Sequence, residues 1–231
     1  MHFDLQWATR WVSYAVFRYY KEVPVHFIRY QQGPQPAGMS RLLNCIVAVC
    51  PDGGIGYKGD LPWHPTRLPN EFKHFRRLTV TGTPGAAAED RRNVVIMGRR
   101  TWFSIPERNR PLGDRINIVL SRQLEAPPAG AHHLARDLDS ALRLLDGPGG
   151  PAADQVWVIG GGSLYAEVME TPGPRRLFVT RVLTQFPCDT FFPDVDPDRY
   201  RLLPEFPGVS PDLQEENGIQ YRFQVYESTD P

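Results

Sequence analysis

The stretch "LPNEFKHFRRLT" carries the carboxylate with the clearest chemical potential. Helical spacing puts Glu71 and Phe75, at i and i+4, on one face, with Phe72 beside them. A carboxylate set among aromatic rings is partly stripped of water, so it holds its proton to higher pH unless a donor or cation compensates. That is the chemistry of a general acid. The same pattern also fits a solvated glutamate near a helix N-terminus, favoured there by the helix dipole. The spacing leaves both readings open.

A second group of residues follows the ends of short apolar runs. "VVIM" is followed by "GRRTW", which brings Arg99, Arg100 and Thr101, with Thr101 expected at a helix N-cap. "NIVL" is followed by Ser121 and Arg122, and "HHLA" by Arg136. Hydroxyls and guanidiniums at successive strand ends could surround the ribose 2′-phosphate that distinguishes NADP from NAD, although any one of these arginines could simply be solvated. "VWVI" leads into "GGGSLY", Gly160 to Tyr165, where three glycines open a helix. Such an opening lets backbone amides approach a pyrophosphate, or serves as a plain tight turn. The G-x-G-x-x-G fingerprint is absent. The loop "GIGYKGDLPW", Gly54 to Trp63, places a tryptophan and a leucine where a surface turn needs neither.

No Ser/His/Asp set, H-E-x-x-H or Cys/His cluster has catalytic or metal-ligand spacing, so covalent and metal-assisted chemistry are not expected. His64, His74, His132 and His133 fall in loops or on helix faces expected to be solvated.

These residues need a frame to position them. "LLNCIVAVC", "NVVIMG", "INIVLS", "QVWVIGG" and "RRLFVTRVL" are short, β-branched and continuously apolar, as strands covered on both faces are. Between them the pattern predicts helices over 69–79, 101–104, 137–145 and 163–170. "YRLLPEF" and "IQYRFQVYE" alternate apolar and polar residues, as antiparallel edge strands or a closing hairpin would. The order implies an α/β fold, a mostly parallel sheet with helices on both faces. "TGTPGAAAEDRR" and "DGPGGPAAD" read as solvent loops.

The 231 residues carry a formal net charge of zero, which gives no electrostatic case for nucleic acid or an anionic membrane surface as main partner. Three cysteines make no even disulfide set and suggest a reducing compartment. Residues 1–40 are aromatic-rich and end in a Gln/Gly/Pro linker; they lack the apolar run of a signal peptide or membrane span. Asp4 and Glu22 among Arg10, Arg18, Lys21 and Arg29 fit a mitochondrial presequence poorly. Residues 1–40 are therefore read as an extension, with a single catalytic domain over 41–231.

Taken together, "CIVAV", "GIGYKGDLPW", "NEFKHF", "VVIMGRRTWFSIPERNRPLGDRINIVLSR", "VWVIGGGSLY", "FVTRV" and "DTFFP" resemble, in order and with few gaps, the vertebrate-type monofunctional dihydrofolate reductases. The resemblance implies a three-layer fold with a mostly parallel, twisted eight-stranded sheet and about four helices. It implies a cytoplasmic, monomeric oxidoreductase that uses NADPH to reduce 7,8-dihydrofolate to tetrahydrofolate for thymidylate and purine synthesis. It also makes the chain a target for antifolates. Glu71 matches the family's acid, assisting protonation of pterin N5 while hydride goes to C6. Thr180 matches the hydroxyl that orients it, and Trp63 the side chain that orders a linking water. Ile46, Val47, Phe72, Phe75, Ile105 and Leu112 match the pterin and benzoyl slots. Arg115 matches the bidentate partner of the folate α-carboxylate, and Asn109 lies at the glutamyl end, to which Arg76 adds a positive charge. On the cofactor side, Ala48, Ile55, Gly56, Gly59, Asp60 and Leu61 match the nicotinamide contacts and lid. Arg99, Arg100, Thr101, Ser121, Arg122 and Arg136 match the adenosine-phosphate side. Ile159, Gly160, Gly161, Gly162, Ser163, Leu164 and Tyr165 match the pyrophosphate loop.

Three departures stand out: the stretch between Trp63 and Glu71 is about two residues longer than usual, Arg76 stands where the vertebrate pattern commonly has an uncharged polar residue, and residues 1–40 have no counterpart. A pyrimidine reductase of the same fold would lack the combination of Glu71 with Arg115. A non-catalytic folate sensor or RNA-binding protein would need a basic stripe for the latter role, and none is present.

Overall fold

The structure, a computed structural model, describes residues 41–83 and 91–229. The extension expected over 1–40, and residues 84–90 of an expected solvent loop, lie outside the described residues. The strands are β1 (Leu43–Val49), β2 (Gly54–Gly56), β3 (Arg92–Gly98), β4 (Arg115–Leu120), β5 (His133–Ala135), β6 (Ala153–Val158), β7 (Arg175–Val182), β8 (Thr190–Phe191), β9 (Tyr200–Leu202), β10 (Gln214–Glu216) and β11 (Ile219–Ser228). Four α-helices accompany them among the described residues: α1 (Pro69–Val80), α2 (Arg99–Ser104), α3 (Leu138–Asp146) and α4 (Gly162–Glu170).

The main sheet runs β10-β11-β7-β1-β6-β3-β4-β5, with β9 on the outer part of β11. From β7 to β5 every pairing is parallel, whereas β11 is antiparallel to β7. The five continuous apolar runs are thus the inner strands, as burial on two faces requires. Strand alternation divides their side chains. Cys45, Val47 and Val49 of β1 pack with Leu138, Ala141, Leu164 and Val168 of α3 and α4, while Ile46 packs on the opposite face with Trp102, Phe178 and Phe75. Each such aliphatic side chain contributes roughly 1.5–3 kcal/mol on burial.

Helices agree with the sequence expectation to within a residue or two. Asp137 is the N-cap of α3, its carboxylate accepting from Ser140 N at 2.8 Å while Ser140 Oγ accepts from Asp137 N. Of the two readings of the last segments, antiparallel pairing holds and a hairpin between them does not. β9 and β11 do pair, but the hairpin partner of β11 is β10, joined through Asn217 and Gly218 at φ 51° and 78°. An Asn-Gly pair with both residues left-handed is the two-residue turn that suits strand twist, and this signal was present in "EENGIQ".

Candidate active site

Glu71 sits in the first turn of α1, at the carboxyl end of β1. In the parallel pair β1–β7, Ala48 lies opposite Thr180, and Thr180 Oγ1 donates to Glu71 Oε1 at 3.1 Å. Thr180 is almost wholly buried. Burial pushes the Glu71 carboxyl up to about 7; the Thr180 hydrogen bond opposes this and the Glu216 carboxylate reinforces it. A carboxyl that titrates near neutrality in a recess at a strand end is suited to proton donation.

Along α1, Phe75 is half-buried against Phe72, ring centroids 6.0 Å apart, and Phe72 stands out at the rim with 56% of its surface exposed. The Arg115 guanidinium lies 5.8 Å from the centre of the Phe75 ring. Arg115 is buried, and its fork is held by Nη1 donating to Thr79 Oγ1 at 2.7 Å and Nε to Gly113 O at 2.9 Å. Burial lowers it to about 10, with the neighbouring Arg76 charge adding to the effect. Arg76 reaches Asp114 at 3.4 Å, both side chains being largely exposed, so its charge is partly offset at the surface. Ile105 is half-buried, Leu112 buried and Asn109 exposed in a 3-10 turn, Glu107–Asn109. Leu112 is clamped by Asn117, whose Oδ1 accepts from Leu112 N and whose Nδ2 donates to Leu112 O. Glu71, Phe75 and Arg115 therefore form one wall: acid, ring, cation.

The second group is aligned by strand register. Gly98 pairs with Leu120 and Leu120 with Ala135, so Arg99, Ser121 and Arg136 leave three adjacent strands at the same level. Arg100 and Arg122 extend from them into solvent. Ser121 Oγ itself accepts from Gln123 N and Leu124 N. Thr101 departs from its expected place: α2 begins at Arg99 with the extended Gly98 as N-cap, so Thr101 is the third helical residue and no side chain caps the helix. The glycines come next in the sheet, Gly98 N donating to Gly160 O at 2.8 Å. α4 opens on Gly161, again without a side-chain cap. A Cβ at Gly161 would meet Thr101 Oγ1 at 3.5 Å, and one at Gly162 would strike Phe191 O at 2.5 Å. The first is an ordinary contact, whereas at Gly162 the backbone of Phe191 leaves room for glycine alone. Ser163 is exposed, Ile159 half-buried, and Leu164 and Tyr165 belong to the core beneath. Tyr165 Oη donates to Ile46 O at 2.6 Å, tying α4 to the strand that ends at the site.

The loop between the two groups is a small hairpin. β2 pairs with β8, and Tyr57 and Asp60 exchange backbone hydrogen bonds of 3.0 and 3.1 Å around Lys58 and Gly59 at φ 50° and 84°. Ile55 and Gly56 are half-buried at its base, and Leu61, just past the Tyr57–Asp60 bridge, is exposed. Trp63 is buried instead, edge-on to Phe186 with centroids 6.4 Å apart, and anchors the loop.

A family model described as dihydrofolate reductase matches residues 42–228, which includes every element above. The chain belongs to the dihydrofolate reductase family. Mouse dihydrofolate reductase is 58% identical over 193 residues, spanning 83% of this chain and 100% of the mouse protein. A viral dihydrofolate reductase from Saimiriine herpesvirus 2 is 52% identical over 190 residues, 82% of this chain and 86% of that one. Among solved structures, Schistosoma mansoni dihydrofolate reductase superposes with a TM-score of 0.69 at 35% identity, over 81% of this chain and 99% of that chain. Dihydrofolate reductases reduce 7,8-dihydrofolate to tetrahydrofolate with NADPH, and this chain is a member of that class of oxidoreductase. The residues present suit the cofactor: an open glycine cradle at a helix start uncapped by any side chain, beside three strand ends bearing cations and a hydroxyl. No helix among the described residues is long and apolar enough to cross a membrane.

His74 corrects the sequence expectation. It is buried, stacked on Phe223 at 3.7 Å between centroids, and its Nδ1 accepts from Arg77 Nη2 at 3.1 Å. A guanidinium only donates, so the imidazole is neutral at Nδ1, and burial lowers it to about 4. The sequence reading also missed Thr79 under Arg115, Asn117 behind Leu112, and Glu216 with Tyr221 at the start of α1. Only a buried-strand Asn, in "INIVL", offered a visible clue.

Proposed function

We propose that this dihydrofolate reductase works with Glu71 as its proton-handling group, Thr180 as the hydroxyl that aims it, and Arg115 as the anchor for the substrate's carboxylate. The observation that carries the reading is the Thr180–Glu71 hydrogen bond at 3.1 Å on a carboxyl raised to about 7. NADPH, when bound, supplies the hydride that reduces the pterin at C6. The chain's residues supply the rest. Glu71 binds the pterin's donor groups with its carboxyl and assists delivery of a proton to N5, directly or through a water ordered at Trp63. Phe75 and Ile46 set the plane in which the ring can lie, with Ala48 following on the same face of β1; Val47, expected in the same slot, turns its side chain to the α3/α4 face and offers only its backbone. Arg115 presents a planar fork fixed by Thr79 and Gly113, a shape that a carboxylate meets in bidentate fashion and that lysine cannot reproduce. Arg99, Arg100, Thr101, Ser121, Arg122 and Arg136 are assigned to the cofactor's adenosine phosphate, and Gly160 to Ser163 to its pyrophosphate. Leu61 and the 54–61 hairpin cover the reacting rings and exclude water.

The same reading makes residues 41–231 the catalytic domain, with residues 1–40 an extension outside it, acting as a cytoplasmic monomer. Its support is the extent of the family match and three unpaired cysteines suited to a reducing compartment. The test is NADPH oxidation driven by dihydrofolate: wild-type chain turns over and Glu71→Ala loses at least a hundredfold in turnover at neutral pH. Equal turnover in the two would overturn the assignment of Glu71.

A further inference from the structure

Helix α1, which carries Glu71, starts without a cap of its own. Its N-cap is Leu68, which has no side-chain acceptor, and Pro69 follows at the first helical position. Leu68 is spent on packing: it is buried with Trp63, Cys50, Val182, Ile219 and Tyr221. The next two amides still need acceptors. Both find the carboxylate of Glu216. Asn70 N donates to Oε1 at 2.8 Å and to Oε2 at 3.0 Å, and Glu71 N donates to Oε2 at 3.2 Å. Oε2 also accepts from the buried Tyr221 hydroxyl at 2.7 Å. The hairpin that bears Glu216 takes a second grip, with Asn217 Nδ2 donating to Arg67 O at 2.7 Å on the other side of Leu68.

A carboxylate that caps from another element does what an N-cap aspartate does, and it also places a negative charge beside the catalytic group. The groups that face Glu71 are few. β7 supplies the Thr180 hydroxyl, β10 the Glu216 carboxylate, β11 the Tyr221 phenol and α4 the Tyr165 phenol. None of these is cationic, so nothing among them offsets Glu216. We propose that Glu216 is a positioning residue of the reaction: by capping α1 from outside it fixes where the Glu71 carboxyl stands, and by its charge it biases that carboxyl towards the protonated form. The inference rests on the assignment of Glu71 as the proton-handling residue.

Two substitutions separate the roles. Glu216→Gln keeps an oxygen acceptor for the two amides and removes the charge; Glu216→Ala removes both. Each is followed by thermal melting, by the pH dependence of kcat and KM, and by carbon-13 NMR titration of the Glu71 carboxyl in the ligand-free protein, assigned with Glu71→Gln. In Glu216→Gln the melting temperature stays close to wild type. The Glu71 titration midpoint falls by about half a unit or more, so the rate at pH 8 drops about threefold and the rate at pH 5.5 is unchanged. In Glu216→Ala kcat falls about tenfold already at pH 5.5, and further at pH 8 because the charge is lost as well, with KM for dihydrofolate less affected. A Glu71 midpoint in Glu216→Gln that coincides with wild type, or a Glu216→Ala effect confined to melting temperature, overturns the proposal. Failure of the Glu71 assignment looks different: Glu71→Gln would keep wild-type turnover whatever the NMR titration of Glu216→Gln showed.

Discussion

Thr180 Oγ1 and Glu71 Oε1 meet at 3.1 Å across the cleft between β7 and α1, the one hydroxyl donor identified on a carboxyl that burial drives towards its neutral form. The hydrogen bond favours the charged state, so its loss moves the group further up. Thr180→Val is expected to raise the midpoint of the pH–rate profile above that of wild type and to lower kcat/KM about tenfold, in keeping with a hydrogen bond to a charged group worth about 1.5–3 kcal/mol. Steady-state kinetics across pH 5 to 9 measure both; an unshifted midpoint would count against the contact.

Glu71 also sets a slope in stability. Its native value of about 7 lies above the ordinary 4.5, so between these limits the folded chain keeps a proton that the unfolded chain has released. Its contribution is therefore fully present below 4.5 and is lost as pH rises through 7, a difference on the order of 3 kcal/mol. Glu71→Gln should melt several degrees higher than wild type at pH 8 and level with it at pH 4.5. Calorimetry at the two pH values decides it, while the same variant is expected to be almost inactive.

His74 works in the opposite sense. Buried and neutral with a native value of about 4, it makes the folded chain resist a proton that the unfolded chain accepts from 6.5 downwards. This contribution is present above pH 6.5 and disappears as pH falls through 4, again on the order of 3 kcal/mol. His74→Phe keeps the stack on Phe223 and cannot titrate, and Arg77 retains Gly208 O as an acceptor. The fall in melting temperature between pH 7 and 4.5 should be smaller in this variant than in wild type; an equal fall refutes the account.

Arg115 and Arg76 differ in burial and so in expected effect. Arg115→Lys loses the fork held by Thr79 and Gly113 and is expected to raise the dihydrofolate KM at least tenfold with a smaller change in kcat. Arg76→Gln, in an exposed pair with Asp114, should raise KM less than about threefold and flatten its dependence on salt. If KM and its salt dependence are both unchanged, Arg76 plays no part in holding the substrate's tail.

What could be read from sequence follows from how local each cause is. The five inner strands announced themselves because burial on two faces leaves few polar positions, as in the unbroken run "VVIM". Glu71 and Phe75 were legible because i, i+4 is a local rule. The cap on α1 was not, because Leu68 gives no local sign and its remedy comes from Glu216 at the other end of the chain. His74 was misread for the same reason: the ring that covers it belongs to β11. Thr101 lost its expected place to Gly98, whose extended backbone lets the helix start two residues earlier. Arg76 carried a charge in the sequence, but its partner Asp114 depends on the turn that precedes β4.

The placement of β11 has a temporal consequence. Phe223 pairs with Thr180, and Glu216 and Tyr221 secure the first turn of α1, so the final hairpin touches both halves of the proton-handling pair. These are contacts between residues very distant in the chain, the kind that close late in folding. A nascent chain can lay down β1 to β6 as the ribosome releases them, but the first turn of α1 gains its cap only once residues 214–221 have emerged and docked. The order of release thus puts the parallel frame in place before the cap that steadies its acid.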